Sequence, residues 1–460
     1  MNYFDDTITA ISTPIGQGGI GIVRISGPQS LMIAERIFRP KRAVKISDLG
    51  PRSMTYGHVI DLCDGSVIDE ALVSVMTAPN SYTREDVVEI NCHGGMVSVR
   101  KILEVIMAQG ARLSEPGEFT KRAFLNGRIN LSQAEAVCDL ITARTDECRR
   151  IAIDQLQGGL SEKLAELRTA LVDTCSSLEA YIDFPEEEIE TKTREEMITR
   201  LMEIKREIET LSATFEEARF FREGLSVAIV GRPNVGKSSL LNALLKKDRA
   251  IVTEIPGTTR DLIEDYLNIR GLPIRIMDTA GIRHSSDSVE REGIKRSLDV
   301  IAKADFIIAI LDGSEPLNKD DKELLEKVKD KNALIAVNKS DLPMKISLEN
   351  IEACGRKYLQ ISAVRAQGLE ELKSVIFDSN LKNWKEEREG IVVTNVRHRA
   401  ALDKAGVSLS HTLRALKDNE PLEILSIELR EALDHIGEIT GTVTTEEILN
   451  NIFRDFCIGK

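Results

Sequence analysis

The chain has 460 residues, of which 42% are apolar, 29% are charged and 4% are aromatic. This length suggests about three domains, and this much apolar material excludes a disordered chain. Lys and Arg number 61 and Asp and Glu number 74, so the formal charge is −13. Such an acidic chain is a poor candidate for non-specific nucleic-acid binding, although a local basic patch or a basic partner could recruit RNA.

The seven cysteines are scattered and contain no Cys-x-x-Cys pair, so neither a disulfide framework nor a zinc ribbon is indicated. Residues 1–8 lack the basic and apolar stretches of a signal peptide. The longest purely apolar run, residues 306–311, is too short to cross a bilayer. We therefore expect a soluble, cytoplasmic protein that makes no contact with a membrane.

Residues 1–120 combine short apolar runs with glycine, proline and β-branched residues. Residues 20–25, 71–76 and 87–90 lie between turn signals and predict strands, whereas residues 96–107 have the pattern of a helix. We interpret this segment as a mixed α/β domain.

Helical periodicity begins near residue 121. Apolar residues recur every three or four positions over residues 156–182, which predicts one long amphipathic helix that Pro185 ends. A second apolar stripe covers residues 197–215. We interpret the acidic residues between the stripes as a solvated turn and an acidic first helical turn rather than a metal site: Glu186, Glu187, Glu188 and Glu190.

From residue 224 to 380, short buried-strand patterns alternate with helical stretches, which predicts a parallel sheet wrapped by helices. The strands are predicted at residues 226–230, 274–277, 306–311, 334–337 and 358–361. Helical stripes return over residues 402–416 and 422–436. Because a helix with one apolar stripe must bury it, the helices before and after this module are natural partners. The predicted domains are residues 1–120, 121–220, 221–381 and 382–460, with the third inserted between two parts of one helical bundle.

A phosphate-binding pattern opens the α/β module. Gly231-Arg232-Pro233-Asn234-Val235-Gly236-Lys237-Ser238 matches Gly-x-x-x-x-Gly-Lys-Ser/Thr between a predicted strand and a helix, a context that disfavours a chance match. In such a loop, backbone N–H groups and the positive end of the helix surround the phosphates. We assign the β- and γ-phosphates to Lys237 and a Mg²⁺ ligand to Ser238. The nucleotide contacts expected here are Asn234, Val235, Gly236, Lys237, Ser238 and Ser239.

Three further motifs follow predicted strands. Asp278-Thr279-Ala280-Gly281 can hold the water shell of the metal and the γ-phosphate. In Asn338-Lys339-Ser340-Asp341, the last carboxylate can accept hydrogen bonds from guanine N1–H and the amino group, which adenine does not offer in that arrangement. Ser362-Ala363 suits a backbone contact with guanine O6. The four motifs in this order predict a GTPase rather than an ATPase.

Ile282 follows the Asp-Thr-Ala-Gly motif, where GTPases commonly carry a glutamine that orients the attacking water. Isoleucine cannot orient water, so another group must do so. Glu290 is the best candidate, with a plain surface glutamate as the alternative. No arginine finger is evident, although Arg260 and Arg283 keep that option open.

Asn234 and the loop from Thr253 to Asp261 suggest a substitute for an arginine finger. An asparagine oxygen and loop carbonyls can hold a monovalent cation against the phosphates. An arginine finger is worth roughly 4–7 kcal/mol of activation free energy, and a cation would offset the same developing charge. Thr259 would complete the Mg²⁺ shell. The predicted nucleotide contacts of this loop are Thr253, Glu254, Ile255, Pro256, Gly257, Thr258 and Thr259.

Taken together, these motifs resemble the MnmE (TrmE) family of tRNA modification GTPases over essentially the whole chain. The resemblance also rests on residues 18–27, 79–89, 116–119 and 122–127, and on the final Phe456-Cys457-Ile458-Gly459-Lys460. It implies a multidomain fold: an N-terminal tetrahydrofolate-binding-like α/β domain, an all-α helical domain and an inserted Ras-like P-loop G domain. It also implies a homodimer whose G domains associate across bound K⁺.

The resemblance further implies the chemistry. With an FAD- and NADH-dependent partner, MnmG, in a heterotetramer, the family adds an aminomethyl or carboxymethylaminomethyl group at C5 of the wobble uridine of certain tRNAs. The one-carbon unit comes from 5,10-methylene- or 5-formyl-tetrahydrofolate. By motif position, K⁺ falls on Asn234, Thr253, Ile255 and Thr258, and Mg²⁺ on Ser238 and Thr259. Folate falls on Arg24, Glu89, Arg128 and Lys460.

These folate assignments have chemical sense, because a pterin can pair with a carboxylate and the glutamate tail of folate attracts cations. Without the resemblance, Gly18–Gly21 would be interpreted as a β-turn and Lys460 as a disordered tail. Cys457 is a candidate catalytic thiol in one-carbon transfer, with a small packing residue as the alternative. A GTP-regulated ribosome or assembly switch without modification chemistry is the alternative for the whole protein.

Overall fold

The computed structural model describes residues 5–42, 45–50, 53–183, 194–248, 266–277, 300–352, 357–382, 384, 390–418 and 420–460. Within these ranges no helix has both the length and the apolar character needed to span a lipid bilayer.

The N-terminal part is a seven-stranded sheet with the order β3-β4-β5-β6-β2-β1-β7. All neighbouring strands are antiparallel except β1 and β7. Helices α1 (Ser30–Ile37) and α2 (Met96–Ala108) pack on one face of the sheet through a core that includes Ile25, Ile33 and Ile102. The strands are β1 Ile8–Ile11, β2 Gly18–Ser26, β3 Phe38–Pro40, β4 Ser53–Ile60, β5 Val67–Met76, β6 Val87–Gly94 and β7 Arg112–Leu113. Gly18–Gly21 therefore begins a strand and is not a β-turn.

The other face of this sheet is open. Alternation along β4 and β5 points Val59 and Val73 into the core, while Tyr56 and Leu72 lie opposite each other on the open face. Leu72 is 43% exposed and Met54, on the same face, is 58% exposed.

Six helices follow the N-terminal sheet. They are α3 Glu118–Leu125, α4 Leu131–Thr142, α5 Asp146–Gln157, α6 Gly159–Asp183, α7 Arg194–Ala213 and α8 Phe215–Glu223. The predicted long helix over residues 156–182 is confirmed as α6 from Gly159 to Asp183, but its predicted start is wrong, because the chain breaks at Gly158 between α5 and α6. Gly158 has φ = +106°, a left-handed conformation that glycine adopts at little cost and that ends a helix.

The α/β module contains a six-stranded sheet with the order β13-β12-β11-β8-β10-β9. Its strands are β8 Leu225–Val230, β9 Tyr266–Ile269, β10 Leu272–Met277, β11 Phe306–Asp312, β12 Ala333–Asn338 and β13 Tyr358–Gln360. Its described helices are α9 Lys237–Asp248, α10 Lys319–Lys327, α11 Leu348–Glu352 and α12 Leu369–Asn380. The sheet is not wholly parallel as predicted, because β9 is an antiparallel edge strand. Arg270 and Gly271 form the two-residue turn with φ values of +51° and +84°, the combination that hairpins favour.

The chain then returns to helices α13 Val396–Lys417, α14 Leu422–Thr440 and α15 Glu446–Arg454. One hydrophobic core joins α6 and α7 to α13 and α14, with Leu164 and Leu171 from the first pair and Leu409 and Leu429 from the second. The segments before and after the α/β module thus bury their apolar stripes against each other.

Candidate nucleotide and ligand sites

The loop between β8 and α9 has the conformation of a phosphate cradle. Asn234 and Gly236 both have left-handed backbones, with φ values of +65° and +102°. A Cβ atom added at Gly236 would lie 2.2 Å from Asn338 Nδ2, so only glycine fits there. The loop leads directly into α9, whose N-terminal N–H groups face an anion placed in the loop.

Asn338 joins this loop to the predicted guanine site. Its Nδ2 donates to the Val235 carbonyl at 2.8 Å, and its Oδ1 accepts from the Ala363 N–H at 3.0 Å. The side chain is 2% exposed. Both ends of the amide are thus bonded to protein, so Asn338 fixes the spacing between the phosphate loop and residues 362–363.

Two carboxylates flank Asn338. Ser362 donates to Asp341 Oδ1 at 2.6 Å, and this hydrogen bond is the main cause that lowers the pKa of Asp341. At the end of β11, Asp312 accepts from Lys339 Nζ, and this bond helps to lower the pKa of Asp312 although burial opposes it. Asp341 is therefore an ionised acceptor beside Ala363, as guanine recognition requires. Asp312 was not predicted as a site residue, because it belongs to no motif.

Lys237 folds back over the loop. Its Nζ donates to the carbonyls of Gly231 at 2.6 Å and Arg232 at 2.8 Å. Burial lowers the pKa of this lysine, and no carboxylate among the described residues forms an ion pair with it. The Lys237 ammonium group, held beside the backbone N–H groups of the loop, is suited to binding negatively charged phosphate oxygens.

Several predicted positions lie outside the described residues. They are the loop Thr253, Glu254, Ile255, Pro256, Gly257, Thr258 and Thr259, the motif Asp278, Thr279, Ala280 and Gly281, and the candidate water-orienting Glu290. Asn234, Ser238 and Ser239 are described, and all three are exposed on the loop and the first turn of α9. In the described part of the chain, no three His, Cys, Asp or Glu residues form a metal-binding group.

A second candidate site lies on the open face of the N-terminal sheet. Arg24 on β2 is the direct register partner of Glu89 on β6, and its Nε and Nη2 atoms both lie 2.8 Å from Glu89 Oε1. The C-terminal tail docks here: the Gly459 carbonyl accepts from Ser12 Oγ at 3.2 Å and from Arg24 Nη1 at 3.4 Å. Gly459 has φ = +92°, and an added Cβ would lie 2.3 Å from the Ile11 carbonyl oxygen.

Lys460 and Arg128 complete this set. Burial and the nearby charge of Arg24 lower the pKa of Lys460, although Glu89 opposes the shift. The guanidinium of Arg128 lies 4.7 Å from the Tyr82 ring centre, and that of Arg24 lies 5.6 Å from the same ring. Arg24 therefore links the four predicted folate residues: it pairs with Glu89, lies near Lys460 and shares the Tyr82 ring with Arg128. Tyr82 lies within the motif at residues 79–89 but was not predicted as a site residue.

Cys457 lies at the entry of the tail into this site. Its carbonyl accepts from the Gly117 N–H at 3.3 Å, and its side chain is exposed. Its neighbour Phe456 is buried against Phe453 and holds the last turn in place. Phe456, and not Cys457, is thus the residue that packs this turn.

A buried ion-pair network supports the segment that carries Tyr82. The guanidinium of Arg122 is fully buried and binds Glu85 at 3.2 Å, Glu118 at 3.0 Å and Asp6 at 2.7 Å. Ser26 on β2 also donates to Glu85 at 2.7 Å. Glu118 lies one helical turn before Arg122, but Asp6, Ser26 and Glu85 come from distant parts of the chain, so no local sequence pattern predicted the whole network.

The helical bundle contacts the hairpin that β9 and β10 form. Thr145, the N-cap of α5, donates to the Gly271 carbonyl in the hairpin turn at 2.6 Å. The Arg144 guanidinium lies 3.4 Å from the centre of the Tyr266 ring, and Cys148 and Ile151 of α5 belong to the same hydrophobic cluster as this sheet. The hairpin connects the two predicted nucleotide loops, residues 253–259 and 278–281, so the contact lies between the bundle and the nucleotide site.

A mostly parallel sheet, a glycine-containing phosphate loop before a helix, and an ionised aspartate held by Ser362 define a guanine-nucleotide-binding protein of the P-loop class. Comparison with known proteins gives the family. A family profile described as GTP-binding protein TrmE N-terminus matches residues 7–128, and one described as MnmE helical domain matches residues 131–457.

Curated relatives match over the full length. The chain is 48% identical over 460 residues to the tRNA modification GTPase MnmE of Alkaliphilus metalliredigens, covering 100% of both chains. It is 47% identical over 464 residues to that of Clostridioides difficile, again covering 100% of both. The chain therefore belongs to the MnmE family of tRNA modification GTPases. Among solved structures, the G domain of the T. maritima FeoB iron transporter is 30% identical and covers 34% of this chain and 98% of its own, with a TM-score of 0.26.

Proposed function

We propose that this chain hydrolyses GTP with Mg²⁺ and K⁺ and, as a homodimer with an FAD-dependent MnmG-type partner, modifies C5 of the wobble uridine of certain tRNAs. Folate would supply the one-carbon unit of the aminomethyl or carboxymethylaminomethyl group. The observation that carries this proposal is the docking of Gly459 and Lys460 beside Arg24 and Glu89, because a purely regulatory GTPase has no use for a second charged site built from both chain ends.

In the nucleotide site, we propose that Lys237 leaves the loop carbonyls and binds the β- and γ-phosphates. Asp341 would accept hydrogen bonds from guanine, and the backbone around Ala363 would contact guanine O6. Asn338 would hold these two halves at a fixed distance through its bonds to Val235 and Ala363. Ionised Asp341 supports guanine over adenine, since a site built to accept two donors leaves its carboxylate unpaired with adenine.

We also propose the ligands of the two metal ions. Ser238 with Thr259 would hold Mg²⁺, and Asn234 with Thr253, Ile255 and Thr258 would hold K⁺. The fit of Asn234 is supported by its left-handed backbone and its exposed amide at the top of the loop. K⁺ would supply positive charge against the charge that develops on the phosphates, and Glu290 would orient water. GTP hydrolysis that runs equally fast in NaCl and KCl would contradict the K⁺ assignment.

For folate, we propose Arg24, Glu89, Arg128 and Lys460 as the binding residues. The set contains three cations and one carboxylate, so it carries excess positive charge that suits the anionic glutamate tail. Tyr82 offers an aromatic face in the same place. The exposed Cys457 thiol is proposed as a participant in one-carbon transfer. Full wobble modification in a Cys457→Ser strain would remove this thiol from the chemistry.

The homodimer is supported by the open face of the N-terminal sheet. Tyr56 and Leu72 form one apolar cross-strand pair there, and Glu89 and Arg24 lie on the same face on the next two strands, β6 and β2. A second copy that covers this face would bury apolar surface and enclose the folate site. Sedimentation of a Leu72→Glu variant as a monomer, against a wild-type dimer, is the expected result.

We further propose the boundaries 1–120, 121–220, 221–381 and 382–460 for the domains and the cytoplasm as the location. The described cysteines are all unpaired, as in a reducing compartment. The deciding experiment for the function is a nucleoside profile of tRNA from a deletion strain. Loss of the modified wobble uridine is expected, whereas unchanged uridines would leave the ribosome or assembly switch as the function.

A further inference from the structure

A group of exposed cations lies at one edge of the N-terminal sheet. β3 is the edge strand and pairs only with β4. The segment from residue 36 to 45 contains no acidic residue and five basic ones, all exposed. We call this group the basic edge: Arg36, Arg39, Lys41, Arg42 and Lys45.

Arg36 and Arg39 of the basic edge meet neutral groups, whereas the charge of Lys41 also helps to lower the pKa of Glu70. Arg36 Nη1 lies 3.4 Å from Gln109 Oε1, and Arg39 Nη1 lies 3.2 Å from the carbonyl of Arg36. Lys41 Nζ lies 5.1 Å from the Tyr56 ring centre. None of the five forms an ion pair with a residue that the structure describes, and the undescribed neighbours at positions 43, 44, 51 and 52 include no acid.

Exposed cations on the helical bundle are arranged differently. Arg150 pairs with Glu147 at 2.6 Å, and Lys205 pairs with Glu209 at the same distance. In a chain with a net charge of −13, acidic partners are plentiful, yet no carboxylate among the described residues forms an ion pair with the basic edge, and Glu70 acts on Lys41 only through its charge. Cations that lie close together without ion-pair partners repel one another, and an anionic partner relieves that repulsion.

The chemistry of the group favours a phosphate backbone. Three of the five cations are arginines, whose planar guanidinium binds phosphate oxygens through two parallel hydrogen bonds. Residues two apart along extended backbone lie about 7 Å from each other, and Arg39 of β3 and Lys41 just after it have this spacing in sequence. We propose that the basic edge binds the sugar–phosphate backbone of tRNA, an inference that rests on the proposed function in tRNA modification.

Protection of the sheet edge is the competing explanation for these charges, because cations on an edge strand prevent pairing with another sheet. Pro40 already removes one backbone donor from β3, so the strand is a poor template for strand addition without five cations. The two explanations predict different behaviour when the cations are removed.

The test is fluorescence anisotropy of the full-length chain with a labelled tRNA that contains an unmodified wobble uridine, in 50–200 mM salt. The variant replaces three cations of the basic edge by alanine, at Arg39, Lys41 and Arg42. The matched control removes the same charge from the helical bundle, at Arg168, Arg200 and Arg206. We expect the edge variant to bind tRNA roughly 10- to 100-fold more weakly, and the slope of log K against log salt to decrease by about two to three.

Equal affinity of the edge variant and the wild type would overturn the inference, as would an equal loss in the control. Self-association of the edge variant with unchanged tRNA affinity would identify edge protection instead. GTP hydrolysis and circular dichroism check that the variants are folded. The proposed function is tested separately by the deletion strain: if modified uridine is lost there while the edge variant binds tRNA normally, only this inference fails.

Discussion

The contact between the helical bundle and the β9–β10 hairpin predicts that Thr145→Ala destabilises the hairpin. Thr145 has two roles: it caps α5 by accepting from the Cys148 N–H, and it donates to the Gly271 carbonyl at 2.6 Å. A lost cap costs about 0.5–2 kcal/mol. The hydrogen bond to the partly exposed hairpin turn contributes about 0.5–1.5 kcal/mol more.

Thr445 offers a matched control, because it caps α15 through the Ile448 N–H and its side chain makes no contact with the hairpin. Thr445→Ala therefore removes a cap alone. In hydrogen–deuterium exchange of the full-length chain, we expect hairpin amides over residues 266–277 to exchange roughly two- to tenfold faster in Thr145→Ala. Thr145→Ser, which keeps the hydroxyl, should restore wild-type exchange.

The result that would refute this reasoning is hairpin exchange that is identical in Thr145→Ala and Thr445→Ala. The functional consequence is tested in the same experiment with a GTP analogue. If the hairpin transmits the nucleotide state to the bundle, the exchange of α5 should respond to the analogue in the wild type and respond less in Thr145→Ala. A response of α5 that is equal in both proteins would exclude this contact as the route.

Two further predictions concern buried and site carboxylates. Burial raises the pKa of Glu135, but the charges and hydrogen bonds of His398 and Arg397 more than reverse this and lower it to about 2, against an ordinary 4.5. This depressed pKa stabilises the fold by about 3 kcal/mol above pH 4.5, and the contribution disappears as the pH falls from 4.5 toward 2. Glu135→Gln should therefore lower the urea midpoint at pH 7 and weaken the acid transition in circular dichroism; an unchanged midpoint would contradict this. Asp341→Asn should weaken GTP binding at least tenfold in calorimetry while ATP binding stays weak, and unaltered GTP affinity would remove Asp341 from guanine recognition.

Local patterns in the sequence predicted the layout of the elements well. The stripes on either side of the α/β module predicted the shared bundle core because a helix with one apolar side must bury it. The apolar stripe over residues 156–182 did not reveal the break at Gly158, since apolar periodicity can continue across a junction between two helices. The antiparallel β9 was also missed, because its turn is short and its strand lies at an edge.

In the candidate sites too, features with a contiguous sequence pattern were predicted and features that depend on distant contacts were not. The phosphate loop is one contiguous pattern, so the sequence predicted it together with the helix that follows. The contact of Gly459 with Arg24 joins residues 435 positions apart, and only family resemblance placed Lys460 near Glu89. The site role of Tyr82 and the contacts of Arg122 with Asp6 and Glu85 depend on tertiary packing, so the local sequence does not predict them.

The central claim is that a GTP-driven cycle controls modification of the wobble uridine. The most direct test complements a deletion strain with the wild-type chain or with Lys237→Ala, at equal protein levels, and measures tRNA nucleosides by mass spectrometry. The wild type should restore the C5-modified uridine and Lys237→Ala should not, because the phosphates lose the cation held over their loop. Full restoration by Lys237→Ala would contradict the claim that nucleotide binding at this loop drives the modification.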